Sequence, residues 1–97
     1  MIDDLRAEID RIDKKVVKLL NQRASTALDI GAYKTEHGWD VTDEEREEAV
    51  LNRIKDLNNG PFSDEQIERI FRQLISETKE VQLEVDADDS GHEARSN

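Results

Sequence analysis

Two cations stand on the apolar face of the first predicted helix, where they could bind an anion. From Leu5 to about Lys34, apolar residues recur every three or four positions, which is typical of an amphipathic helix. Arg23 occupies a position of this apolar stripe, and Lys34 lies eleven residues further along, within roughly 20° of the same face. A buried cation is costly unless it is paired or has a ligand, so the two positions predict an anion site.

Five further polar residues fall on the inward faces of two other predicted helices. Each of them alone has an ordinary explanation, such as a charged first turn, a surface ion pair or a polar helix end. Taken together with the two cations, they predict one cavity lined by positive charges, a carboxylate and neutral hydrogen-bond donors. The five residues are Asp43, Arg46 and Glu47 in the second helix and Thr78 and Gln82 in the third.

The first helix is too long for a compact monomer. A helix of about 30 residues is on the order of 45 Å long, whereas a compact domain of this size should be only about 26 Å across. Its apolar stripe therefore needs a partner, and we expect a second copy of the chain in a two-fold dimer. Arg6 points about 100° away from the face of Arg23 and Lys34, so in a dimer it could serve the partner's cavity.

Local signals mark the helix ends, and the chain is expected to be all-α. Asp3 or Asp4 is expected to cap the first helix, and the segment 35–41 is expected to be a loop because it contains a glycine. Two capping boxes follow, with Thr42 and Ser63 as the predicted N-caps of the second and third helices.

Composition limits the classes of function. The 97 residues suffice for one small domain, assigned to 1–85, and the polar, unpatterned segment 86–97 is expected to be an acidic disordered tail. There is no cysteine, which excludes disulfides and thiolate metal sites, and the formal net charge of -10 argues against binding nucleic acid. Neither a signal peptide nor a membrane-spanning run is recognisable, so a cytoplasmic protein is expected.

Beyond these physical signals, five segments follow one another between Leu5 and Gln82: LRAEID, LLNQR, GAYK, VTDEEREE and FRQLISETKEVQ. In the order and spacing of these segments the chain resembles the all-helical class of chorismate mutases. The resemblance implies an intertwined homodimer of three-helix chains, each with a long first helix. It also implies the Claisen rearrangement of chorismate to prephenate, an isomerase step of aromatic amino acid biosynthesis in the shikimate pathway. This reaction needs no cofactor, metal or covalent intermediate, and the short chain leads us to expect a stand-alone enzyme.

The resemblance implies catalytic roles for four residues. Lys34 would donate a hydrogen bond to the ether oxygen of the substrate and bind a carboxylate, and Gln82 would donate the second hydrogen bond to that oxygen. Arg23 would bind a substrate carboxylate, and Glu47 would accept a hydrogen bond from the ring hydroxyl. Catalysis would then consist of holding a folded, chair-like conformer and stabilising the charge that develops as the ether bond breaks.

Four more residues would complete the substrate-binding set. Arg6 would reach across the dimer to a carboxylate in the partner's site. The backbone at Asp43 would assist in binding the ring hydroxyl, and Arg46 would order the acidic start of the second helix. Thr78 stands where the family often has serine, so its hydroxyl is expected to keep a contact with a carboxylate.

Two other functions remain open from the sequence. An isochorismate-pyruvate lyase of the same fold would use the same cations, although Glu47 favours the mutase. A non-catalytic helical dimer or adaptor would have apolar residues in place of Arg23, Lys34 and Gln82. A carboxylate metal site at Asp43 and Glu47 is disfavoured, because the neighbouring cations would repel the metal.

Overall fold

The computed structural model describes the backbone of residues 1–96 and the side chains of residues 1–86. Over that range the chain forms helices α1 (Ile2–Glu36), α2 (Glu44–Leu57) and α3 (Asp64–Ser96). The expected all-α class with a long first helix is therefore confirmed. Helix α3 continues past residue 85, the predicted end of the domain. The side chains of residues 87–97 lie outside the described part of the chain, so the division into a domain (1–85) and a tail (86–97) stays a prediction.

Helix α1 extends along one side of an elongated molecule. The principal dimensions are 59 × 31 × 16 Å, and α3 packs against both α1 and α2. Six apolar residues of the α1 stripe are between 41 and 62% exposed within the single chain. This is the uncovered apolar face that the length of the helix predicts. The six residues are Leu5, Ile9, Ile12, Val16, Leu19 and Leu20.

The N-terminus of α1 differs from the expectation. Met1 is the N-cap and makes no side-chain cap hydrogen bond, so the expectation that Asp3 or Asp4 caps the helix is wrong. Both aspartates lie inside the first turn, because the helix begins at Ile2 rather than after them. Their negative charge there still interacts favourably with the positive end of the helix dipole.

Helix α2 begins one residue later than the capping box predicts. Its N-cap is Asp43, whose Oδ1 accepts a hydrogen bond from the backbone N of Arg46 at 3.0 Å, so the assignment of Thr42 is wrong. The backbone N of Thr42 instead donates to Oδ1 of Asp40 at 3.1 Å, which makes Thr42 part of the preceding turn. A charged cap also suits the helix dipole better than a hydroxyl.

Helix α3 begins with the capping box that the sequence predicts. The backbone N of Gln66 donates to Oγ of Ser63 at 3.1 Å, and the backbone N of Ser63 donates to Oε1 of Gln66 at 2.9 Å. These reciprocal bonds satisfy two backbone donors and fix where α3 starts.

The packing of α2 on α3 is centred on Leu51, which is 2% exposed. At its edge Lys55 Nζ lies 2.5 Å from Glu68 Oε1. The hydrogen bond between them raises the pKa of the Lys55 ammonium and lowers the pKa of the Glu68 carboxyl, which Arg72 also lowers. One end of the α2–α3 pair is thus fixed by an apolar anchor and an ion pair.

In the described part of the chain, no helix has the length and apolar character that crossing a membrane requires.

Replacing Leu51 with alanine should lower the free energy of unfolding by about 2–4 kcal/mol, because it removes a fully buried side chain and leaves a cavity. Urea denaturation followed by circular dichroism measures this loss. The matched control is Leu57→Ala in the same helix, where the side chain is 64% exposed. The control should cost less than about 1 kcal/mol, and an equal loss in both variants would contradict the prediction.

Candidate active site

A cavity of about 760 Å³ lies between the C-terminal half of α1, the start of α2 and the C-terminal part of α3. Seven of the eight residues that the sequence singles out line this cavity. The eighth, Arg6, does not line it, because it lies seventeen residues before Arg23 on α1, or about 26 Å along the helix axis. The seven lining residues are Arg23, Lys34, Asp43, Arg46, Glu47, Thr78 and Gln82.

Two half-buried cations face the cavity from α1. The guanidinium carbon of Arg23 lies 6.0 Å from the centre of the Phe71 ring, a distance at which the ring face attracts the positive charge. Lys34 is in the last turn of α1, near the negative end of the helix dipole. Among the described residues, neither cation has a carboxylate within 4.0 Å, so both charges remain available to an anionic ligand.

The cap of α2 positions the acidic side of the cavity. Because Asp43 uses its carboxylate to cap the helix, its backbone is fixed, and its carbonyl oxygen accepts from the backbone N of Glu47 at 3.0 Å. The Glu47 side chain is half-buried and follows Arg46 in the first turn. The local sequence thus determines the direction in which the carboxylate of Glu47 enters the cavity.

Lys79 is a cavity residue that sequence reasoning missed. Its Nζ lies 2.7 Å from Oε1 of Glu47, so this cation fixes the carboxylate across the α2–α3 interface. A sequence signal for it exists, because Lys79 follows the inward-facing Ile75 by four residues, one helical turn. The sequence analysis places Thr78 and Gln82 on the inward face of α3 and does not include the neighbouring Lys79.

Helix α3 contributes two neutral polar groups. The Thr78 hydroxyl donates to the backbone oxygen of Leu74 at 2.7 Å, so its hydrogen is committed to its own helix and its lone pairs remain free to accept. The amide of Gln82 is half-buried, and its Nε2 donates to Oδ1 of Asp86 at 3.2 Å. Asp86 also lines the cavity, although the sequence assigns it to a tail.

The arrangement suits a small organic anion with more than one negative group. Helix α1 contributes two cations to the cavity and α2 contributes the carboxylate of Glu47. Helix α3 contributes the amide of Gln82, whose nitrogen carries two hydrogens. Such fixed charges stabilise developing negative charge without having to reorganise. Within the described residues, no three His, Cys, Asp or Glu side chains cluster in a way that could hold a metal ion.

Comparisons with known proteins identify relatives over most of the chain. The family model for chorismate mutase type II matches residues 5–83. A bifunctional chorismate mutase/prephenate dehydratase from Neisseria gonorrhoeae is 46% identical over 85 residues, covering 84% of this chain and 23% of that protein. The chain spans 21 to 23% of the length of four such bifunctional relatives.

A shorter relative and a solved structure match over most of their lengths. A chorismate mutase from Methanocaldococcus jannaschii is 38% identical over 80 residues, which is 81% of each chain. The structure of a chorismate mutase from Thermus thermophilus superposes with a TM-score of 0.81 at 33% sequence identity. That match covers 84% of this chain and 92% of the other.

The ion pair of Glu47 and Lys79 should be energetically coupled, because the carboxylate is only 24% exposed. A double-mutant cycle with Glu47→Gln and Lys79→Met, measured by urea denaturation, should give a coupling energy on the order of 0.5–1 kcal/mol. The matched control is the cycle of Glu48→Gln with Arg72→Met, whose charged groups are 3.7 Å apart and more than half exposed. The control coupling should be near zero, and additive losses for Glu47 and Lys79 would contradict the prediction.

Proposed function

The chain belongs to the chorismate mutase type II family, and we propose that it catalyses the rearrangement of chorismate to prephenate. The observation that carries the proposal is the cavity in which cations from α1 meet the Glu47 carboxylate and the Gln82 amide. Chorismate has two carboxylates, a ring hydroxyl and an ether oxygen, and the cavity offers a suitable partner for each kind of group. The family match supports the same activity independently.

In the proposed mechanism the enzyme selects a reactive conformer. The substrate must fold so that the two carbon atoms that will be joined come together while the ether C–O bond breaks. Arg23 would hold one carboxylate from within the chain, and Lys34 would contact a carboxylate and the ether oxygen. Fixing both ends of the substrate converts an improbable conformer into the bound one, which lowers the entropic part of the barrier.

The same cavity would stabilise the transition state. Negative charge grows on the ether oxygen as the C–O bond lengthens, and Lys34 and Gln82 would both donate hydrogen bonds to it. Because a glutamine amide has no proton to lose or gain near neutral pH, this donor would work without an acidic pH limit. Glu47, fixed by Lys79, would accept from the ring hydroxyl, with the Asp43 backbone assisting.

Three further residues have supporting roles in the proposal. Arg46 would order the start of α2, because its positive charge stands among the acidic residues of the first turn, Glu44, Glu45 and Glu47. Thr78 would contact a carboxylate, for which its hydroxyl must rotate away from the Leu74 carbonyl oxygen. Arg6 would complete the site of a second subunit.

We further propose that the working enzyme is an intertwined homodimer in the cytoplasm. The exposed stripe of α1 supports this assembly, since an apolar face of this extent is unfavourable in water. The separation of about 26 Å between Arg6 and Arg23 along one helix also supports it, because a single α1 could then serve two cavities.

Incubation of the purified protein with chorismate, without added metal, should give prephenate, and Lys34→Ala should lower kcat by about 100-fold or more. Product identification and circular dichroism establish the activity and the retained fold. Lys18→Ala is the matched control, since it removes an exposed lysine from the same helix outside the cavity. Unreacted chorismate, or pyruvate released from isochorismate instead, would contradict the proposed function, and full activity of Lys34→Ala would remove Lys34 from the mechanism.

Mixing Arg6→Ala protein with Lys34→Ala protein should restore activity if Arg6 acts across the dimer. A heterodimer then has one site with both residues intact, so full subunit exchange should recover about a quarter of the wild-type activity. Two affinity tags on the variants measure the exchange. Proven exchange without recovery would mean that Arg6 does not act in the partner's site.

A further inference from the structure

The amide of Gln82 lies directly against the backbone of α1 at Gly31. Gly31 is buried, and a β-carbon built on it would come within 2.9 Å of Cδ and 3.3 Å of Nε2 of Gln82, and closer still to Oε1. Real β-carbons essentially never lie within 3.0 Å of another side chain, so a larger residue at position 31 would push the flexible end of Gln82 out of its observed place. Glycine in the middle of a helix is unfavourable relative to alanine. The close approach of Gln82 accounts for its presence here.

The other side of the same amide is fixed by Asp86. Nε2 of Gln82 donates to Oδ1 of Asp86, which lies one turn further along α3, at 3.2 Å. An ionised carboxylate can only accept hydrogen bonds, so it must face the NH₂ group of the amide rather than the carbonyl oxygen. Asp86 therefore distinguishes between the two orientations of the amide, which differ by half a turn and have almost the same shape.

This orientation matters for the reaction under the proposed function, on which the inference rests. An ether oxygen can only accept a hydrogen bond. An amide turned the wrong way would present its carbonyl oxygen to the ether oxygen, and the two would repel each other. In the observed orientation, one hydrogen of Nε2 is used by Asp86 and the second remains for the substrate.

We propose that Gly31 and Asp86 are positioning residues that together fix the Gln82 amide with its NH₂ group available to the ether oxygen. Gly31 allows the side chain to lie against α1, and Asp86 selects which end of the amide is the donor. Neither residue needs to touch the substrate. A carboxylate near a dianion would itself be repulsive, but Asp86 is exposed to solvent, which screens its charge.

The kinetic test is Asp86→Leu, which keeps a side chain of similar shape but removes the acceptor. It should lower kcat about three- to ten-fold with little change in KM, because one hydrogen bond orients the donor that acts in the transition state. Asp86→Asn should fall in between, since an asparagine amide can either accept or donate. Glu84→Gln, an exposed carboxylate of α3 outside the cavity, is the matched control and should leave both constants unchanged.

A double-mutant cycle distinguishes positioning from a general structural role. In a Gln82→Ala background, Asp86→Leu should have no further effect on kcat, because the group that it orients is gone. Unchanged kcat in Asp86→Leu, the same loss in both backgrounds, or a lower KM with normal kcat would overturn the inference while the mutase activity of the wild type stands. A wild-type protein that leaves chorismate unchanged would overturn the proposed function, and the inference with it.

The role of Gly31 has a test that does not depend on activity. Gly31→Ala should shift the thermal unfolding midpoint less favourably in the wild type than in a Gln82→Ala background, because in the wild type the added methyl group must push the Gln82 amide aside. In the Gln82→Ala background the same substitution should raise the midpoint, since the space is then free and alanine favours the helix. A midpoint that changes equally in both backgrounds would overturn the contact as the reason for glycine at this position.

Discussion

The apolar face of α1 is the constraint on which the rest of the structure depends. In the single chain, α1 runs from Ile2 to Glu36 and packs against α3, but its apolar residues from Leu5 to Leu20 remain exposed. Leu51 is the fully buried large side chain among the described residues, so the single chain has little core of its own. Its stability must come largely from covering α1, and the proposed dimer accomplishes this with the same helix that carries Arg23 and Lys34.

Helical periodicity explains how much of the site could be predicted from the sequence. Arg23 and Lys34 interrupt an apolar stripe, which is the reason that the sequence predicts a cavity at these positions, and both residues line it. The Ser63 capping box is also predictable from the sequence, since Gln66 stands at the required spacing and makes the reciprocal hydrogen bond. These signals are local, and the structure contains each of them where the spacing requires.

Features that depend on a choice between adjacent residues, or on contacts with another side chain, cannot be predicted from helical periodicity. Thr42 and Asp43 are adjacent and both are good caps, and a turn formed by Asp40 decides between them. Lys79 is part of the site because it forms an ion pair with Glu47 on α2, and Asp86 because it accepts a hydrogen bond from Gln82. Composition classified Asp86 with a polar tail, whereas α3 continues through it. The dimer and the catalytic roles involve a second chain or a substrate and stay proposals.

The cations that face the cavity without a counter-ion among the described residues belong to a chain of formal net charge -10. The doubly negative substrate that we propose would therefore be repelled at long range and attracted only once it is close to Arg23 and Lys34. At physiological ionic strength the Debye length is about 8 Å, so dissolved ions screen the long-range repulsion more than the attraction inside the cavity. Moderate salt would then speed the encounter of the substrate with the protein, the reverse of electrostatic steering by a positively charged surface.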